Sequence, residues 1–148
     1  MKGTYSIKLN LYLLLMIIPL SALGYYFAVH DKTRFFLYEW LLAAIVIVSL
    51  FLSIKSIISS TNGSRWASMS IFAFLVQFSV LALFLGPLTH YAMFYVYYVA
   101  TAFSLTVFIM AIRKKTALRL IPAIFILLSC SFTIYVLFLH ALWAHNLS

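Results

Sequence analysis

The side chains best suited to acid–base or ligand chemistry are four histidines and two carboxylates: His30, His90, His140, His145, Asp31 and Glu39. Imidazole carries protons near neutral pH and is the commonest metal ligand. His30, His90 and His140 fall at the ends of three apolar runs, so three imidazoles with Asp31 or Glu39 nearby offer a zinc or copper set. The spacing weakens that reading. No two histidines show a helix-borne metal motif, and His140 and His145 diverge by about 140° around a helix. A haem held by two of them needs imidazoles buried between facing helices, whereas these lie at the margins of the runs.

Glu39 is the most unusual residue, because it sits inside an apolar run, in FFLYEWLLAA. A carboxylate below the membrane interface is expected to point inward or to pair. Lys32 and Arg34 are its nearest cations in sequence, and a salt bridge to one of them is the simplest expectation. Tyrosines supply a third element. Tyr91, Tyr95 and Tyr98 fall at i, i+4 and i+7, within about 60° of one another on a helix. With Tyr25, Tyr26, Tyr38, Trp40 and Trp143 they form an aromatic belt of the kind that anchors helices at headgroup level. The belt accounts for Tyr91. Tyr98 lies about 10 Å deeper along the helix axis and is expected to turn its hydroxyl to a partner. Glu39, His90, Tyr95, Tyr98 and His140 are therefore the candidate site for a metal, a quinone or a lipid. His30, His90 and His140 are the alternative metal set.

Other chemistries have no residues to carry them. The chain shows no phosphate-binding glycine loop, no C-x-x-C and no H-E-x-x-H. Its serines and carboxylates lie at different depths, so no Ser–His–Asp set forms. The single cysteine, Cys130, sits in an apolar run, where a thiol behaves as a small hydrophobe. No charged residue or histidine lies near the middle of any run, which argues against an ion-coupled transporter or proton pump.

The elements that must position these groups are set by composition. The chain has 148 residues, of which 66% are hydrophobic and 8% charged. A soluble domain is about half apolar and about a quarter charged, so the natural solvent for this chain is the bilayer. Five apolar runs, Leu9–Val29, Phe35–Ile54, Trp66–Leu85, Tyr91–Ile112 and Leu120–Trp143, each approach the roughly 20 residues that cross a membrane as helix. The breaks HDKTR, KSIISSTNGSR, GPLTH and RKKTALR hold the turn formers and most of the charge. The expected fold is an all-α integral membrane protein: a bundle of five transmembrane helices forming a single membrane domain over residues 1–148. The first run also has the plan of a signal peptide, basic then apolar then SALG. Because the apolar run continues through Tyr25–Val29, it is read as a retained span.

Orientation follows from basic residues in short loops. Lys2, Lys8, Lys55, Arg65, Arg113, Lys114, Lys115 and Arg119 fall on one side, against Lys32 and Arg34 on the other. This places the N-terminus in the cytoplasm and the C-terminus outside, with every histidine and carboxylate on the outer side. The net charge of +8 is then spread over loop ends, where it meets anionic lipids and not nucleic acid. Within the runs, Ser70 and Gln77 share a face with Trp66, and Ser129, Thr133 and His140 share a face with Pro122. Gly24-x-x-x-Ala28, Ser49-x-x-x-Ser53 and Ala100-x-x-x-Ser104 are small-residue seams. Such seams seal helices together. Pro19 is expected to kink the first helix near Leu15.

With short loops, many seams and no catalytic set, the sequence reads as a non-enzymatic accessory, assembly or regulatory subunit of a membrane complex. Its expected setting is the bacterial plasma membrane. Two other readings stand beside it. One is the outer-face site named above, with redox or transfer chemistry. The other is a small channel lined by Gln77, Ser70, Ser129 and Thr133, if those seams face one another around a pore.

Overall fold

The computed structural model describes the backbone of residues 2–114 and 117–146, and their side chains from residue 4 on except at residue 62. Lys115, one of the eight basic residues expected on the inner side, lies outside these. The described chain is all-α, with no strand. Its helices are α1 (Lys2–His30), α2 (Phe35–Ser59), α3 (Asn62–Leu85), α4 (Ala92–Arg113) and α5 (Leu120–Asn146), with a 3-10 turn over Lys32–Arg34. All five are long and apolar enough to cross a membrane. In hydrocarbon every backbone polar group must be satisfied within the segment, which a helix achieves and an irregular chain does not. The chain is an integral membrane protein.

The helices outrun the apolar runs. The eleven-residue break KSIISSTNGSR shrinks to Ser60 and Thr61, because α2 continues to Ser59 and α3 begins at Asn62. Hydropathy marks where hydrocarbon ends, whereas polar residues continue a helix into water. Helix α1 runs on through Pro19, and the Ser21 hydroxyl nearby donates to the Ile17 carbonyl at 2.7 Å. In α5 the proline is harmless: Pro122 stands in the first turn, where its missing N–H has no helical acceptor.

The chain divides into two compact units, residues 1–68 and 69–148. In the first, HDKTR is a tight turn between α1 and α2. The Asp31 N–H donates to the Phe27 carbonyl at 3.0 Å, and the Arg34 N–H donates to the Asp31 carbonyl at 3.1 Å. Arg34 Nε pairs with Asp31 Oδ2 at 3.1 Å, and the Thr33 hydroxyl donates to Asp31 Oδ1. Arg34 is thus taken by Asp31 and not by Glu39, because the turn folds the two onto each other within three residues. Helices α1 and α2 then pack closely. A Cβ on Gly24 would come within 2.7 Å of the Tyr38 ring, so only glycine admits that approach. At the other end of the seam Asn10 Nδ2 donates to the Ser49 carbonyl and to Ser53 Oγ. Ser56 Oγ meets Ser68 Oγ at 2.7 Å in the first turns of α3.

The second unit comprises the rest of α3 with α4 and α5. Its core is aromatic: Phe74 stacks on Phe125 at 4.5 Å between ring centres, and Phe108 leans on Phe125. Nearer the α3–α4 turn, Leu81, Phe84, Phe94, Tyr97 and Val136 form a buried cluster. The turn itself, GPLTH, is closed by hydrogen bonds. The Leu88 N–H donates to the Leu83 carbonyl at 2.9 Å, and the Thr89 hydroxyl bonds the Phe84 and Gly86 carbonyls that end α3.

Candidate functional site

Two polar clusters stand one above the other in the second unit. The deeper one is built on Gln77, which is fully buried at 0% exposure. Its Nε2 donates to Tyr97 Oη at 3.0 Å and to Thr101 Oγ1 at 3.1 Å, while its Oε1 accepts from Ser129 Oγ at 2.9 Å. Tyr97 Oη lies 3.4 Å from Thr133 Oγ1, whose hydroxyl bonds the Ser129 carbonyl at 2.7 Å. An amide has two donors and one acceptor group, and all three are used here, by side chains of α4 and α5. The seams on α3 and α5 therefore do meet, but hydroxyl to amide, with no side chain of Gln77, Ser70 or Ser129 left exposed. Gln77 and Ser129 bond each other directly across the seam.

The shallower cluster surrounds His140. Tyr98 Oη lies 2.8 Å from Nδ1 and Tyr91 Oη lies 3.0 Å from Nε2. Phe94 stacks on the imidazole at 4.5 Å between ring centres, and Trp143 stands edge-on to Phe94. Tyr91 and Tyr95 present ring edges to the imidazole at 5.4 and 6.3 Å. A neutral imidazole has one donor and one acceptor nitrogen, so one tyrosine donates to His140 and the other accepts from it. Neither nitrogen keeps a free lone pair for a metal.

The residues singled out from the sequence are thus partly gathered. Tyr98 and His140 are bonded. Tyr95 touches the imidazole ring but is 56% exposed. His90 is exposed and caps α4, its Nδ1 accepting the Ala92 N–H at 3.2 Å. Glu39 belongs to the first unit, where its side chain is exposed. His30 is also in the first unit and stacks on Tyr26 at 4.7 Å. Among the described residues no three His, Cys, Asp or Glu side chains come together to hold a metal ion.

Sequence reasoning missed three residues. The belt accounts for Tyr91, yet its hydroxyl is spent on His140. Phe94 and Tyr97 carry no role in the belt, although both are fully buried. The pattern that marks them is Phe94, Tyr97, Thr101, Ser104 and Phe108, at i, i+3, i+7, i+10 and i+14, one face of α4. Grouping tyrosines by type hid that face. Neither a family model, nor a curated protein, nor a solved structure matches the chain.

Proposed function

We propose that this chain is a non-enzymatic accessory, assembly or regulatory subunit of a membrane protein complex. In this reading it is a multi-pass protein of the bacterial plasma membrane, with its N-terminus in the cytoplasm, its C-terminus outside, and anionic lipids against its basic inner loops. The observation that supports it is the engagement of Gln77 at both ends of its amide. The amide nearest mid-membrane in the second unit makes three bonds to its own neighbours and presents no exposed surface to a substrate or ion. A polar group kept for transport or chemistry is expected to face a cavity; this one joins helices. Photo-reactive residues placed at exposed positions of α2, such as Phe51 and Ile58, and activated in intact membranes test the proposal. Discrete cross-links to another membrane protein support it. Cross-links to lipid alone remove it.

A second reading has its own observation. Tyr98 and Tyr91 on either side of His140 make a hydrogen-bonded line at the expected outer end of the second unit, and an outer-face site for a quinone or a lipid would be built there. Solvent extraction of the purified protein decides between the two: a stoichiometric organic ligand, lost in His140→Leu, favours the site.

A further inference from the structure

The α1–α2 seam contains two buried polar atoms that no protein group satisfies, Asn10 Oδ1 and Ser49 Oγ. Asn10 is 1% exposed and Ser49 0%. The orientation of the amide explains the first. Asn10 Nδ2 donates to the Ser49 carbonyl at 3.2 Å and to Ser53 Oγ at 2.7 Å. Turning the amide over would set its oxygen against the Ser49 carbonyl, so Oδ1 is the atom left over. The second is less expected. Serine hydroxyls in a helix commonly bond the carbonyl four residues back, as Ser21, Ser59, Ser79 and Ser131 do in this chain. Ser49 does not, and its hydroxyl has no acceptor.

The two atoms are complementary. Oδ1 lacks a donor, and the Ser49 hydroxyl has a proton to give. Both are brought to the same stretch of α2 by the bond from Nδ2 to the Ser49 carbonyl. We propose that a single water molecule resides in the α1–α2 seam, donating to Asn10 Oδ1 and accepting from Ser49 Oγ. Buried waters occur where polar groups would otherwise go unpaired, and two to four partners hold them. A metal cation fits less well, because the Ser49 carbonyl and Ser53 Oγ already accept from the amide, and a hard cation takes about six oxygens.

The sequence around Ser49 also supplies a way in. Ser49, Ser53, Ser56 and Ser60 recur at i, i+4, i+7 and i+11, one hydroxyl-bearing face about 16 Å long. Ser56 Oγ bonds Ser68 Oγ at 2.7 Å and lies 3.4 Å from Ser60 Oγ, which is half-exposed at the end of α2. The line is closed at Ser56, which is buried. The water is therefore a resident that exchanges when the seam breathes, and the serine face is not an open channel.

The chain carries its own control. Gln77 is an equally buried amide, but protein groups bond both of its ends, and it is the sole glutamine in the sequence. Solid-state NMR with transfer of magnetisation from water, on the full chain in lipid bilayers with side-chain amides of Asn and Gln labelled, reads the two directly. The expected result is transfer at Asn10 and none at Gln77 over the same mixing time, with the Asn10 transfer lost in Ser49→Ala while the Gln77 resonances stay in place. Three results overturn the proposal: Asn10 as dry as Gln77, transfer equal at both amides, or Ser49→Ala without effect on Asn10.

Discussion

Replacing Gln77 by leucine separates a structural seam from a group kept for function. Leucine has nearly the volume of glutamine, so the packing around residue 77 stays filled while three hydrogen bonds, to Tyr97, Thr101 and Ser129, disappear. Interhelical hydrogen bonds in membrane proteins average about 0.6 kcal/mol each, which gives a loss of about 2 kcal/mol. The partners left behind pull in the same direction. Ser129 is fully buried and its hydroxyl loses its acceptor, and an unpaired buried polar group costs about 1–3 kcal/mol. Tyr97 is relieved in part by Thr133, although 3.4 Å is a long bond. A loss of about 2 kcal/mol lowers the folded-to-unfolded ratio about 30-fold. Reversible unfolding in mixed lipid–detergent bicelles measures it. A double-mutant cycle with Ser129→Ala isolates the pair and is expected to show a coupling of about 0.5–1.7 kcal/mol. A Gln77→Leu chain as stable as the native one, or more stable, refutes the reasoning. It would mean that the amide is retained at a cost to the fold, as functional polar groups are.

Three further outcomes follow from other contacts. Gly24→Ala places a Cβ against the Tyr38 ring and is expected to destabilise the first unit by about 1–3 kcal/mol; the loss shrinks when Tyr38→Leu is combined with it, measured by the same unfolding experiment. His140→Leu leaves the hydroxyls of Tyr91 and Tyr98 without their partner and is expected to cost about 1–3 kcal/mol, with most of the effect absent in a Tyr91→Phe/Tyr98→Phe background. Glu39→Gln, at an exposed position outside the Asp31–Arg34 pair, is expected to change stability by no more than about 0.5 kcal/mol. A larger change in either direction assigns Glu39 a buried partner or a ligand.

Much of the architecture is written in the sequence because membrane helices announce themselves by length. All five apolar runs are helices, and only their ends differ: hydropathy has no power to say where a helix stops once it has left the hydrocarbon, as the α2–α3 break shows. The depth of Tyr98 also foretells that its hydroxyl needs a partner, and His140 is that partner. What the sequence conceals is which faces meet. Gln77 and Ser129 are 52 residues apart, and nothing local in either run indicates the other. Asn10 is hidden differently. Next to Lys8 and within a turn of the expected membrane edge, it looks like an interfacial residue, yet antiparallel packing sets it opposite Ser49 and Ser53 and buries it. The pairing of Arg34 with Asp31 shows a third limit. Both carboxylates are near it in sequence, and the 3-10 turn brings Asp31 onto it.

The central claim is that the chain works as part of a larger assembly. Native mass spectrometry of the chain, expressed in its own membrane and extracted directly into lipid nanodiscs, tests this most directly. The account predicts a heteromeric complex in which this subunit is bound to another membrane protein at fixed stoichiometry and carries no stoichiometric organic or metal ligand of its own. A lone chain in the nanodisc, above all one holding a quinone or another cofactor, would contradict it.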